Sequence, residues 1–247
     1  MTLEAADRSV VPLSTDALHE IGRRPDARVP PQRGDGPEPA FRGSACSSRG
    51  ERVVDGAAHV FAEYGYHGSS LRHIATHVGI THTGLLHHFD SKRDLMGAVV
   101  DRLEAHAQHA LDRIDELGTD PASFLRALTE LWNPSSEPIQ LFATLDADVV
   151  SHDHPARYRI ARLRCVHEHV LEECFARLAR RGGLRPAIDP AFAGRCALAL
   201  VLSHALREKT VRTMQGGAHD DAPLQDLHAL VGMFLQEPAE EEQPLVG

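Results

Sequence analysis

From residue 49 onward, apolar residues recur at intervals of three and four, the spacing that places them on one face of an α-helix. The first such stretch contains Val53, Val54, Ala57, Ala58 and Phe61. Gly65 follows it, and glycine readily takes the left-handed conformation just beyond a helix end. Because no segment alternates apolar and polar residues as a half-buried strand does, the pattern predicts an all-α fold.

A pair of short helices is predicted next. Ser69 or Ser70 can cap a helix of two turns, whose apolar stripe stops at Gly79. A second short helix begins at Thr81 or His82. A capped short helix, a glycine corner and a second short helix are typical of a helix-turn-helix, in which the second helix enters the DNA major groove. From the pattern alone, a plain packing corner in a helical bundle that does not bind DNA is an equal alternative.

The remaining helices are longer. A fourth helix begins at Ser91-Lys92-Arg93-Asp94, a carboxylate variant of the capping box. A long helix is predicted over 155–180, and two late helices are predicted over 190–212 and 223–236. The expected architecture is an N-terminal three-helix domain with the helix-turn-helix, followed by a larger C-terminal helical bundle, with about nine helices in all.

Composition divides the chain into four regions. Residues 1–48 are rich in proline and mixed charges and are expected to form a disordered arm. Residues 49–107 are assigned to the helix-turn-helix domain, and residues 108–236 to an effector-binding and dimerisation domain. The acidic stretch 237–247 is expected to be a flexible tail.

The residues between Ala57 and Leu95 are similar to a known family. They are Ala57-Ala58, Phe61, Tyr64-Gly65-Tyr66, Ser69-Ser70, Ile74-Ala75, Gly79-Ile80-Thr81, Leu85, His88-Phe89, Ser91-Lys92 and Leu95. Their order and spacing resemble the N-terminal domain of the TetR/AcrR family of repressors. The resemblance implies a homodimer that binds a pseudo-palindromic double-stranded DNA operator and releases it when a small-molecule effector enters the C-terminal domain. It also implies that the two late helices, around Leu200 and Val231, form the dimer interface.

The resemblance also implies which residues contact DNA. The candidates are Ser70, Arg72, Thr81, His82, Thr83, Leu86, His87, His88 and Lys92. Ser70 and Lys92 are expected to contact backbone phosphates, and Thr81, His82 and Thr83 are expected near base edges. For His88 and Arg72 the residues themselves leave open a packing role and a solvated surface role.

Two observations weigh against tight DNA binding. Leu86 stands where the family commonly has a tyrosine, so a hydrogen bond from a phenol to phosphate is missing, although His87 is a possible replacement. Between Arg49 and Arg93, five Lys and Arg residues face four Asp and Glu residues, so the net charge of this part is only +1 in a chain of net charge −9. The case for DNA binding therefore depends on the spacing and not on the charge.

An effector pocket is expected where large apolar residues cluster around residues 134–138. The candidate lining residues are Phe124, Leu128, Trp132, Phe142 and Leu145. Trp132 is the leading candidate because its ring can line a cavity while its N–H meets a polar partner. Ordinary core packing remains an alternative for each of these residues.

Other functions are less well supported. The chain has no HExxH motif, phosphate loop, GxSxG motif or paired carboxylates, so no enzyme activity, catalytic residue or cofactor is expected. Histidines in 152–154 and 167–169 match no strong metal signature, and no metal site is assigned. A metal- or redox-responsive regulator of the same fold, and a helical interaction protein that no longer binds DNA, remain as alternatives. With no apolar membrane span or signal peptide in the sequence, a cytoplasmic, nucleoid-associated protein is expected.

Overall fold

The computed structural model describes residues 43–214 and 222–236. The described residues form nine helices of five or more residues and two four-residue turns of helix. In chain order these are α1 (Gly43–Tyr64), α2 (Leu71–Val78), α3 (His82–Leu86), α4 (Lys92–Asp112), α5 (Ile114–Leu117), α6 (Pro121–Leu131), α7 (Glu137–Asp148), α8 (Arg157–Arg180), α9 (Pro190–Lys209), α10 (Val211–Met214) and α11 (Pro223–Phe234). The all-α prediction is confirmed: among the described residues, the only β pairing is an isolated bridge between Leu184 and Leu235.

Five helices, α2, α3, α4, α6 and α9, begin at side-chain caps. Ser91 Oγ accepts a hydrogen bond from the Asp94 amide at 3.2 Å, which is the first half of the predicted capping box. The Asp94 carboxylate accepts from the Ser91 hydroxyl at 2.6 Å, whereas in a capping box it accepts from the backbone N–H of the cap residue. Asp189 accepts a hydrogen bond from the Phe192 amide at 2.9 Å at the start of α9, with Pro190 in the first turn. These caps satisfy amides that have no partner inside the helix, which fixes where each helix begins.

One continuous apolar core joins the helix-turn-helix region to the C-terminal bundle, and its buried residues run from Val53 to Leu235. Helices α8 and α9 approach each other closely inside this core. A Cβ on Gly194 of α9 would lie only 2.9 Å from the backbone nitrogen of Glu172 in α8. The recognition elements therefore rest on the same packed core as the C-terminal helices.

The helix bounds differ from the predicted domain limits in two places. Helix α1 begins at Gly43, inside the region predicted to be an arm, although the strongly apolar part of the helix begins later at Val53. Helix α4 runs without a break through the predicted boundary at 107. The rest of the predicted arm, residues 1–42, and the predicted tail, 237–247, lie outside the described residues. No helix in the described part of the chain has the length and apolar character needed to cross a membrane.

Candidate nucleic-acid interface

The corner of the helix-turn-helix is built by a cap, a glycine and a close helix crossing. Ser70 Oγ accepts a hydrogen bond from the His73 amide at 3.2 Å, which leaves its hydroxyl proton available to another acceptor. Gly79 ends α2 with φ of 76°, a left-handed conformation that side chains with a Cβ rarely adopt. Helix α1 approaches α2 so closely at Gly56 that a Cβ there would overlap a methyl group of Val78. This packing sets the direction in which α3 leaves the corner.

Helix α3 is anchored on one side and open on the other. Thr81 caps it by accepting a hydrogen bond from the Gly84 amide at 3.0 Å, and Leu85 is fully buried against the core. Thr83 and His87 are exposed, and Leu86 is 38% exposed. The open face of α3 therefore combines one small hydroxyl, one apolar surface and one imidazole, a mixture able to touch base edges and phosphates.

The other DNA-contact candidates are exposed to solvent to different degrees. Arg72 and Thr81 are exposed, whereas His82 and His88 are partly buried. The sequence predicts that His82 faces outward. In the structure His82 is partly buried, because Leu85 on the same helix faces the core. Arg72 lies in α2, whereas Thr81, His82 and His88 lie in α3 or directly beside it.

Lys92 has a different setting from the one expected for a phosphate contact. Its Nζ donates a hydrogen bond to the Ser69 carbonyl at 2.5 Å and lies 4.2 Å from the centre of the Tyr66 ring. Partial burial lowers the pKa of Lys92, although Asp148 opposes that shift. In this arrangement the ammonium holds the turn between α1 and α2 in place.

Histidine is unusually frequent around this surface. Seven of the chain's 17 histidines lie between residues 49 and 93. The His59 and His77 rings stack with their centres 4.7 Å apart and join α1 to α2, and the His73 ring meets Tyr64 edge-on at 4.7 Å. The sequence alone did not identify these ring contacts, because they join residues from different helices.

Three side-chain bonds connect the end of α1 and the following turn to the C-terminal helices. They are Thr144 Oγ1 donating to the Ala62 carbonyl (3.1 Å), an ion pair between Lys209 and Glu63, and the Tyr66 amide donating to Asp148 Oδ2 (2.7 Å). The hydrogen bond from Lys209 is the main cause of the lowered pKa of Glu63. These bonds were missed by sequence reasoning, because their partners lie 82 or 146 residues apart in the chain.

The five predicted pocket residues all lie in the packed interior and are at most 1% exposed. Trp132 Nε1 donates to His167 Nδ1 at 3.2 Å, so the tryptophan N–H has the polar partner that was expected of it. Burial lowers the pKa of His167 to about 3, with His106 adding to the shift, so this imidazole is neutral near pH 7. His167 was not among the sequence candidates, because a histidine on an apolar helix face gives no pattern of its own.

Two other possible sites carry little chemistry. An open groove of about 260 Å³ lies between α5 and α6 and is lined by oppositely charged side chains. Among them, Arg113 forms ion pairs with both Glu116 and Glu130. Within the described residues, no three His, Cys, Asp or Glu side chains come together in a way that would hold a metal ion.

Known proteins are similar to this chain in two ways. The family model for bacterial regulatory proteins of the tetR family matches residues 53–99. The chain is 37% identical over 68 residues to the uncharacterised HTH-type transcriptional regulator YezE of Bacillus subtilis, a match that covers 27% of this chain and 35% of YezE. It is 39% identical over 64 residues to the HTH-type transcriptional repressor KstR2 of Rhodococcus jostii, which covers 26% of this chain and 31% of KstR2. The chain thus spans about a third of the length of these relatives.

The fold agrees over a longer stretch. The crystal structure of AibR in complex with isovaleryl coenzyme A and operator DNA superposes with a TM-score of 0.57 and 22% identity, over 75% of this chain and 97% of AibR. At this identity the likeness concerns the fold alone. The sequence match at 53–99 includes α2, α3 and the start of α4, the segment in which the exposed face of α3 is built. Residues 53–99 therefore match the tetR family of bacterial regulatory proteins, and the likeness over the larger part of the chain is one of fold.

Proposed function

We propose that the chain is a sequence-specific DNA-binding repressor that a small-molecule ligand in its C-terminal domain releases from the operator. The observation that carries this proposal is the geometry of α3: Thr81 caps the helix, Leu85 anchors it, and Thr83 and His87 face outward. An outward face on the second helix of a helix-turn-helix is the part that contacts base edges in the major groove.

The remaining candidates supply contacts around that face. Ser70 keeps a free hydroxyl proton for a phosphate oxygen, and Arg72 is exposed beside it. Lys92 donates one of its three N–H groups to the Ser69 carbonyl, which leaves two for a phosphate oxygen. The small positive charge of residues 49–93 agrees with modest non-specific affinity and with selectivity that depends on α3.

The regulatory half of the proposal rests on the interior around Trp132. Phe124, Leu128, Phe142 and Leu145 are buried in the same apolar interior, which also contains the hydrogen-bonded Trp132–His167 pair. The relative AibR was crystallised with an acyl coenzyme A and operator DNA, and KstR2 is named a repressor. A ligand that separates these side chains would move α7, whose Thr144 and Asp148 are bonded to the DNA-binding domain.

Assembly and location complete the proposal. Two copies pair through α9 and α11, where Phe192 and Met233 are 50% and 62% exposed. Pairing holds two recognition helices about 34 to 36 Å apart, or a multiple of that distance, as a pseudo-palindromic operator requires. The protein acts in the cytoplasm on the nucleoid.

A titration of the full-length protein with duplex DNA from upstream of its own gene tests the proposal. Binding should weaken steeply with salt. His82→Ala should cost about 1–3 kcal/mol of affinity for that duplex and relax the preference over an unrelated duplex. The matched control is His109→Ala, which removes an exposed histidine from α4 far along the chain from α3 and should leave affinity unchanged. Equal, weak binding of the wild type to both duplexes would refute sequence-specific recognition.

A further inference from the structure

His154 is buried where the DNA-binding domain meets the end of α7. Its side chain has no solvent exposure, and its ring lies 5.1 Å from the Tyr66 ring, centre to centre. Nδ1 accepts a hydrogen bond from the Ala156 amide at 3.2 Å, so the neutral imidazole must carry its proton on Nε2. That Nε2 has no hydrogen-bond partner among the described residues. A buried donor without an acceptor is costly and uncommon, and it calls for a physical explanation.

The carboxylate oxygen that lies close to His154 Nε2 already accepts a hydrogen bond from another donor. Asp148 Oδ2 lies 3.7 Å from His154 Nε2, too far for a hydrogen bond, and accepts the Tyr66 amide at 2.7 Å. One carboxylate oxygen therefore faces two donors, one from the turn that follows α1 and one from the loop that leads into α8. In the observed arrangement the Tyr66 amide, in the turn that follows α1, is the donor that is hydrogen-bonded to this oxygen.

Adding a proton to His154 changes this balance for geometric reasons. The second proton would occupy Nδ1 and point at the Ala156 N–H, so two donors would face each other and that hydrogen bond would be lost. The loop before α8 would then be free to move, and the cationic ring would gain a strong attraction to Asp148 at short range. Protonation thus opposes the present arrangement and favours a second one.

The surrounding charges do not remove this opposition. Burial lowers the pKa of His154 more than any other influence. Among the charged groups around it, Asp148 on α7 and Asp153 in its own loop raise that pKa, whereas His67 in the turn and Lys92 on α4 lower it. Since the pKa is depressed, the arrangement with neutral His154 is fully favoured above the ordinary histidine value and is lost as pH falls through the lowered one.

We propose that Asp148 and His154 are positioning residues that make the attachment of the DNA-binding domain sensitive to protons. With His154 neutral, Asp148 holds the Tyr66 amide; with His154 protonated, the imidazolium takes Asp148 Oδ2 as an ion pair and releases Tyr66. The consequence for DNA affinity rests on the proposed function, but the exchange of partners at Asp148 does not. The device joins the C-terminal end of α7 and the start of α8 to the helix-turn-helix.

Amide hydrogen exchange of Tyr66 in the full-length protein measures the proposed step directly. After correction for the intrinsic pH dependence of exchange, protection of this amide should be constant above the ordinary histidine pKa of 6.5 and should fall several-fold as the pH drops below it. His154→Gln removes the titrating group and should make the corrected protection independent of pH. Asp148→Asn, which keeps an oxygen acceptor without the charge, should also lose the pH dependence. His109→Gln is the matched control, because His109 is an exposed histidine on α4 outside this group of contacts, and it should behave like the wild type.

The outcomes separate the two proposals. A pH-independent wild type, or an unchanged pH response in His154→Gln or Asp148→Asn, would overturn the proton-sensitive attachment even if DNA binding were normal. A pH-dependent Tyr66 amide in a protein that binds no DNA at either pH would overturn the proposed function and leave this inference standing. Circular dichroism of each variant establishes that it is folded, and the two variants at separate positions keep the test decisive if one of them is not.

Discussion

Replacing Gly56 by alanine tests whether the approach of α1 to α2 fixes the helix-turn-helix. Gly56 is buried in α1, and a Cβ at this position would overlap Val78 Cγ2 and lie 3.4 Å from His77 Cδ2. Val78 is β-branched and has little rotamer freedom in a helix, so it cannot swing aside as a long side chain would. We therefore expect α2 to be pushed away from α1.

Two opposing contributions set the size of the effect. Alanine stabilises a helix interior relative to glycine by about 0.5–1 kcal/mol. Overpacking a tight contact costs typically about 1–3 kcal/mol. These two ranges give a net loss of about 0–2.5 kcal/mol of unfolding free energy for Gly56→Ala, together with weaker DNA binding because the direction of α3 depends on α2.

Gly50→Ala provides the matched control. Gly50 lies in the same helix, and a Cβ there would have no atom within 4 Å, so only the helical gain of about 0.5–1 kcal/mol should remain. Urea unfolding of both variants, with the slope against denaturant compared to the wild type, measures the difference. If Gly56→Ala proved as stable as Gly50→Ala and bound DNA equally well, the claim that this contact positions α2 would be refuted.

Two further predictions concern buried groups. Because burial depresses the pKa of His167 to about 3, the folded state takes up fewer protons than the unfolded one, and unfolding free energy should fall by up to about 1.4 kcal/mol per pH unit as pH drops below the ordinary histidine value. His167→Gln, which retains an acceptor for Trp132, should flatten this dependence in urea titrations at several pH values; an equally steep curve would show that other groups cause it. Burial also raises the pKa of Cys174 to about 12, so iodoacetamide at neutral pH should label the exposed Cys165 and spare Cys174, as peptide mass spectrometry would show. Rapid labelling of Cys174 in the folded protein would contradict its burial and would favour the alternative of a redox-responsive regulator.

The local elements were predictable because their signals are local. The caps at Ser70 and Ser91 and the glycine at Gly79 each act within four residues, so the sequence predicts where α2 and α4 begin and where α2 ends. The extension of α1 back to Gly43 was not predictable in this way, since residues 43–48 lack an apolar stripe.

The site was only partly predictable. The position of Thr83 on an outward face follows from the burial of Leu85 two residues later, which periodicity indicates. The inward turn of Lys92 depends on the Ser69 carbonyl and the Tyr66 ring, whose positions come from packing between helices. A position matched to a family role therefore identifies a residue that can reach DNA, but not the contact it makes in the absence of DNA.

The attachments at the end of α1 also constrain how a ligand can act. Ala62 and Tyr66 are held by two residues of α7, whose earlier turns contribute Phe142 and Leu145 to the interior. A ligand can shift α7 from one position to another only if it binds more tightly when α7 is in the second position. The difference in binding free energy then sets how far the equilibrium of the attached DNA-binding domain is shifted. In the proposed ligand-released repressor this coupling is reciprocal, so operator DNA must weaken ligand binding by the same factor, typically about 5- to 150-fold. A search for the effector is therefore best made on the DNA-free protein, since saturating operator would hide ligands by that factor.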